Sequence, residues 1–437
     1  MKIAILGLWH LGCVYAACIA SFGHKVKAFD EDAERIEKLK KGVPPIAEPD
    51  LNNLIKEGLQ SGCLSFFDGL KQALKDCGII WITYDTPVDD EDEADCAFVF
   101  ERIIKAIEAA DENAVFVISS QLPAGSIYDL EKLAAQKGRG DLSFVCQPEN
   151  LRLGKSIEIF KNPDRVICGV RDERAKEKMK NLFSFCADRI EFMSPESAEM
   201  TKHSINAYLA MSVSFANEIA VLCEAAGADA KEVERGLKTE KRIGKDAYLR
   251  PGSAFDGGTL ARDLKFLSQL SEKQSILFPA IFASNSRHKL WIFNKLKEIF
   301  ISLKNKKIAL WGLSYKAGSD TLRRSLAVEI AHLLQKEGAD IFACDILIKE
   351  LPVNLKTIIS LCENPQESVK GADALVVFRQ EPEFEKTDGR RIIEAMRSPV
   401  IIDANRFLFS KFAGISRYYA VGLGGKKNEG QIDGGDK

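Results

Sequence analysis

The sequence predicts an α/β protein with two Rossmann-like parallel-sheet domains joined by an all-helical central domain that contains a long spine helix. Three observations carry this expectation. Short apolar runs alternate with helical patterns over residues 1–190; the stretch 199–226 has helical spacing without Pro or Gly; and KIALWGLSYKAG at 307–318 echoes KIAILGLWHLGC at 2–13. Alternation of the first kind is the pattern of βαβ units around a mostly parallel sheet.

Taken in order, the first strand candidates are 2–6, 25–29, 78–82, 114–118 and 142–145. The texture changes at Ser194 and Pro195, and the apolar residues of 199–226 recur every three or four positions. That spacing predicts a helix of about 25 residues, long enough for a spine between domains or a subunit interface. Helical patterns continue to 302, interrupted by the Gly-rich stretch 250–263, and a second sheet pattern follows at 307–311, 340–344, 374–378 and 400–402. The expected domains are therefore 1–195, 196–302 and 303–421, with 422–437 as a polar, disordered tail.

Composition narrows the function class. The 437 residues carry 61 Lys and Arg against 63 Asp and Glu, a net charge of -2, which gives no electrostatic reason to expect nucleic acid or an anionic membrane. No apolar run reads as long enough and free enough of charge to span a bilayer, and the start lacks a signal peptide, so the expected location is cytoplasmic. Eleven cysteines occur without a Cys-x-x-Cys pair. They read as small buried hydrophobes in a reducing compartment, and no metal is expected.

The chemistry begins at the first strand, which runs into Gly7, Leu8, Trp9, His10, Leu11 and Gly12 before a helix pattern. Gly7 suits the tight turn and Gly12 close helix-to-strand packing, with helix N–H groups left to meet a pyrophosphate. Asp30 closes the second strand where a carboxylate takes the ribose hydroxyls, favouring NAD, because a 2′-phosphate there would meet like charge. Trp9 departs from the fingerprint, standing where a second glycine lets the backbone approach the cofactor. A Rossmann-like domain with a remodelled nucleotide site is the alternative.

Further stretches give the chain a resemblance to the UDP-glucose/UDP-N-acetylmannosamine/GDP-mannose 6-dehydrogenase family across 1–420. They are Glu48-Pro49, Thr86-Pro87, PENLRLG at 148–154, PDRVICG at 163–169, 199–227, RIG at 242–244 and GLSYKAGSDTLRRS at 312–325. The resemblance implies NAD on the N-terminal domain, a nucleotide sugar mainly on the C-terminal one, and chemistry in the cleft between. It also implies dimerisation through the central helix, giving a homodimer or higher homo-oligomer. Family members oxidise a primary alcohol of the hexose to an aldehyde and then, through a cysteine thioester, to a carboxylate, consuming two NAD.

Residue by residue, Lys202 and Asn206 match the family's helix pair, one stabilising charge on the substrate oxygen and the other donating a hydrogen bond; their four-residue spacing puts them on one helix face. Glu149 matches a carboxylate that orients water or accepts a proton, and Asp263 one that works with the helix lysine. Arg35, Thr86 and Gln121 join the expected cofactor set. Leu151, Arg242, Phe255, Gly257, Lys316 and Arg323 form the expected substrate set, with Arg242 reaching in from a neighbouring subunit.

Departures concentrate in the Gly-rich loop. GSAFDGGTLARD at 252–263 places Thr259 where the family has its nucleophilic cysteine. A threonine hydroxyl is far harder to ionise than a thiol. Leu153 replaces a glutamate, Gln121 a threonine and Arg262 a lysine. The sequence alone therefore favours NAD-dependent two-electron oxidation of a nucleotide-sugar hydroxyl to a carbonyl. The alternatives are four-electron oxidation to a uronate through a hydrate, without covalent cysteine, and a non-catalytic nucleotide-sugar-binding protein in glycan biosynthesis.

Overall fold

The computed structural model describes residues 1–89, 94–149, 151–255, 258–270, 275–315 and 320–424, with Gly258 by its backbone only. The chain divides into two compact units, Met1–Ile205 and Asn206–Lys437.

The first unit is built on the strands β1 (Lys2–Leu6), β2 (Lys25–Phe29), β3 (Leu64–Phe67), β4 (Ile79–Ile82), β5 (Val115–Ile118), β6 (Ser143–Cys146), β7 (Val166–Gly169) and β8 (Ile190–Met193). They form one sheet in the order β3-β2-β1-β4-β5-β6-β7-β8, parallel except where β7 meets β6. β1 pairs with both β2 and β4, so the chain reverses its winding at β1, the switch point where open α/β sheets place a ligand. One face of the sheet buries Ile3, Ile5, Trp81 and Val117; the other buries Leu6, Ile80, Ile82 and Phe116. Covering both faces is what makes the central strands β4 and β5 continuously apolar. Trp81 is fully buried because its indole N–H donates to Ser119 Oγ at 2.8 Å.

The second unit repeats the plan with β9 (Lys307–Trp311), β10 (Asp340–Cys344), β11 (Ile359–Leu361), β12 (Ala374–Val377), β13 (Val400–Ile402) and β14 (Arg417–Tyr419). Their order is β11-β10-β9-β12-β13-β14, all parallel. The echo between the two strand-turn-helix starts is therefore structural. Four strands that the sequence pattern did not offer, β3, β8, β11 and β14, are the outermost of each sheet. They are short and only part-buried, so no long apolar run marks them. β7, fully buried over its four residues, is a further strand absent from the candidates.

The central helix is Pro195–Ala226, 32 residues, longer than expected because it starts earlier. Ser194 Oγ accepts the Ser197 N–H at 3.2 Å, and Pro195 and Glu196 suit the first turn. By length and composition alone this helix is apolar enough to cross a membrane, contrary to the reading that no such run exists. Its Glu199, His203, Asn206 and Asn217 are nonetheless buried and hydrogen-bonded to protein groups, the pattern of a helix packed inside a protein. The tail expectation also needs correcting at 422–424. Gly422 N–H donates to Glu224 at 2.9 Å, its carbonyl accepts Ala230 N–H at 2.8 Å, and Leu423 is buried. The glycine there is a close-packing device, since a Cβ would lie 2.3 Å from that of Ala230. Residues 425–437 lie outside the described residues.

Candidate functional site

In the first unit the turn after β1 is shaped by its glycines. Gly7 has a φ of +95°, and a Cβ on it would lie 2.6 Å from the Tyr84 ring. A Cβ on Gly12 would lie 1.9 Å from Gly7 O, so the helix His10–Ser21 can approach β1 only with glycine there. Thr83, which the sequence reading missed, secures the same point: its hydroxyl contacts Leu6 O at 3.0 Å and Gly7 O at 2.8 Å. The helix opens with no capping side chain and no acidic residue in its first turn. Such a start favours an anion, so these residues fit the pyrophosphate of NAD.

Asp30 lies at the end of β2 and is buried. Its Oδ2 accepts Leu8 N–H at 2.7 Å and Arg35 Nη1 at 2.8 Å, and its Oδ1 accepts Asp32 N–H at 3.0 Å. Trp9 is 41% exposed, and the Arg35 guanidinium carbon lies 5.3 Å from its ring centroid. That cation–π contact gives the bulky ring a partner of its own. Leu11 is buried under the turn, and His10 Nε2 meets Glu48 Oε2 at 2.9 Å. Thr86 and Gln121 come together, the Thr86 hydroxyl donating to Gln121 O at 2.6 Å.

A second group in this unit surrounds Lys202. Its Nζ donates to Glu149 O at 2.6 Å and lies 3.7 Å from Glu149 Oε1, while Glu149 Oε2 accepts Leu151 N–H at 2.6 Å. Beside them a cavity of about 40 Å³ is lined by Gln121, Cys146, Glu149, Glu199, Lys202 and His203 among others. Its lining is mostly apolar, with a few polar groups, among them Lys202 and Glu149, and its volume is enough for a water. Glu199 accepts the N–H groups of Gly125 and Ile127 at 2.7 and 2.9 Å, and burial raises its carboxyl above the usual range despite those bonds. Burial also pushes the Cys146 thiol well above its ordinary value, so it is no substitute for a thiolate nucleophile.

The second unit holds the Gly-rich loop. Asn217 Oδ1 accepts Gly252 N–H at 2.9 Å, Asn405 Oδ1 accepts Ser253 N–H at 3.0 Å, and Asn285 holds both the N–H and the carbonyl of Phe255. His288 Nε2 meets Gly252 O at 2.8 Å, and burial lowers the His288 pKa, favouring a neutral ring that donates there. None of these four clamps was legible as a site residue. Thr259 is exposed in the first turn of the helix Gly258–Leu270, and among the described residues no base hydrogen-bonds its hydroxyl. Asp263 on the same helix is fully buried and accepts Asn206 Nδ2.

The structure thus joins Lys202 to Glu149 and Asn206 to Asp263. Arg242 stands apart, 88% exposed and paired with Glu240 at 3.0 Å. Arg323 is exposed, Leu153 is half-buried, and Gly257 and Lys316 lie outside the described residues. The echo of the nucleotide turn in the second unit extends to Gly312, with a φ of +86°, and to Asp345. There, however, the Asp345 carboxylate takes four backbone N–H groups, from Leu313, Ser314, Leu347 and Ile348. It is saturated, so at the cavity of about 540 Å³ beside it the Asp345 carboxylate has no acceptor position left for a ribose.

Comparison with known proteins finds matches along most of the chain. Models of the UDP-glucose/GDP-mannose dehydrogenase family match in order: its NAD binding domain at residues 1–186, its central domain at 196–287 and its UDP binding domain at 309–410. The UDP-glucose 6-dehydrogenase of Pseudomonas aeruginosa is 30% identical, covering 92% of this chain and 93% of its own. That of Rhizobium meliloti is 32% identical, covering 92% and 94%. Among solved structures, a UDP-glucose dehydrogenase from Pyrobaculum islandicum superposes with a TM-score of 0.82 at 27% identity over 92% of this chain and 93% of its own. The UDP-D-ManNAc dehydrogenase of Pyrococcus horikoshii gives 0.85 at 25% identity over 97% and 99%.

Proposed function

Because the chain belongs to the UDP-glucose/GDP-mannose dehydrogenase family and is an NAD-dependent nucleotide-sugar dehydrogenase, we propose that it carries a UDP-linked hexose through four electrons to the uronate, by way of an aldehyde hydrate and without a protein thioester. This reverses the preference drawn from the sequence alone. Relatives at 30% identity or more over at least 92% of the chain are UDP-glucose 6-dehydrogenases, which weighs for oxidation at C6 and for the acid. The observation that carries the route is the water-sized cavity beside Lys202 and Glu149, set against a Thr259 hydroxyl with no base on it among the described residues.

The balance is one primary alcohol, one water and two NAD giving one carboxylate, two NADH and three protons. Bound NAD supplies the hydride acceptor. The Lys202 ammonium stabilises the alkoxide from which the first hydride leaves, and then the oxyanion of the hydrate. Glu149, within 3.7 Å of that ammonium, takes a proton from the water that adds to the aldehyde. Asp263 fixes the Asn206 amide by accepting one of its N–H groups, leaving the other N–H and the carbonyl oxygen for the sugar hydroxyl. A second reading, stopping at the carbonyl after one hydride, is favoured by Thr259 and Leu153. NADH yield and product mass across a panel of nucleotide sugars decide between them. Two NADH with a carboxylate is the expected outcome; one NADH with a trappable carbonyl would establish the second reading instead.

We also assign the central helix to self-association. Tyr208, Phe215 and Leu222 are 60%, 47% and 63% exposed and seven residues apart, so they share one apolar stripe. A second copy of the same helix fits it, and Arg242 is then the candidate contact to that copy's nucleotide. Light scattering at micromolar concentration is expected to give at least a dimer, and Phe215→Glu with Leu222→Glu a monomer; a fully active wild-type monomer would refute the assignment.

A further inference from the structure

The strongest unassigned feature is the carboxylate of Glu48, in the link between the helices Ala33–Lys40 and Leu51–Gln60. Its side chain is 1% exposed, yet it touches two parts of the first unit that are far apart in sequence. Oε2 accepts His10 Nε2 at 2.9 Å and Gly154 N–H at 2.8 Å, and Oε1 accepts Ser156 N–H at 2.8 Å. The Ser156 hydroxyl, donating to Arg152 O at 2.8 Å, also lies 3.1 Å from His10 Nε2. Burial alone would raise the Glu48 carboxyl, but these donors outweigh it and hold it below the usual range, so the clasp is ionised at neutral pH.

His10 opens the helix whose N-terminus fits the pyrophosphate, and the clasped loop is the one that presents Glu149 to Lys202. We propose that Glu48 is a positioning residue that couples cofactor occupancy at the dinucleotide turn to the loop 151–156, holding the Glu149 carbonyl on the Lys202 ammonium. The inference rests on the reading of Lys202 as catalytic, but the coupling itself needs only NAD.

A buried carboxylate with three donors is worth far more than a neutral amide that offers one acceptor and brings an N–H against another. Hydrogen exchange of the 151–156 amides, with and without saturating NAD, reads the coupling directly. In the wild type NAD is expected to slow that exchange at least about fivefold, as a local opening is closed by ligand. In Glu48→Gln the NAD-dependent protection should fall below about twofold while NAD still binds, and kcat should drop about 30-fold with little change in KM. Should that variant misfold, the pair His10→Gln and His10→Phe keeps the test open: the first retains a donor to Glu48 and the second only the bulk. Protection retained in His10→Gln and lost in His10→Phe supports the coupling. Equal protection in the two, undiminished protection in Glu48→Gln, or no NAD-dependent protection in the wild type overturns it. Because no sugar is present, an error about the product or the substrate leaves this measurement unaffected.

Discussion

Lys202→Ala is expected to lower kcat about 10³-fold with little change in NAD affinity, the loss seen when one preorganised donor to a developing oxyanion is removed. The physical ground is the site's charge balance. Lys202 is held by the Glu149 carbonyl at 2.6 Å, with the Glu149 carboxylate at 3.7 Å, and its side chain is only 14% exposed. An ammonium in that setting is aimed before substrate arrives and costs little reorganisation during reaction. Steady-state kinetics with an NAD titration by protein fluorescence checks this, and added ethylamine should restore part of the rate. A loss of less than tenfold would remove Lys202 from the reacting atoms.

Gly12→Ala is expected to weaken NAD binding at least about 100-fold and to destabilise the first unit by about 1–3 kcal/mol, the usual cost of forcing atoms into a packed region. The added Cβ would stand 1.9 Å from Gly7 O and 2.7 Å from Thr83 Oγ1. One contact is backbone, so no side-chain rotation relieves it; the helix must move off the turn whose N–H groups receive the pyrophosphate. Gly140→Ala, where a Cβ meets nothing within 4 Å, is the matched control and should leave both quantities unchanged. Isothermal titration with NAD and thermal melting of the two variants distinguish them. Equal behaviour would mean that the turn is softer than its geometry implies.

Much of the architecture was legible because it rests on local pattern. Strands buried on both faces must be apolar throughout, so β4, β5 and β12 stand out, whereas the outer strands β3, β8, β11 and β14 bury only part of their surface and do not. The turn glycines Gly7 and Gly12 were readable because their roles follow from backbone geometry. Residues whose roles depend on the folded neighbourhood were not. Glu48 was noticed as part of a motif without a role, since nothing in the chain says that a residue near 50 will meet Gly154 and Ser156. Asn217, Asn285 and Asn405 were unreadable for the same reason: each is an ordinary amide until the loop 250–255 folds against it. Composition misled at 422–424, where glycine looked like a mark of disorder and serves instead to let the backbone pass Ala220 and Ala230.

The claim that the second oxidation proceeds without a covalent protein intermediate is tested most directly by Thr259→Ala, followed by NADH yield and by the mass of the acid-quenched protein during turnover. Thr259 is exposed and its hydroxyl meets no base among the described residues, so removing it should cost less than about threefold in rate. Two NADH per sugar should still form, with no acyl mass on the wild-type chain at any time. A loss of 100-fold or more in the second hydride transfer alone, which at about 2.7 kcal/mol exceeds any loss of an exposed surface contact, would contradict it. So would an acyl ester trapped on Thr259 of the wild type.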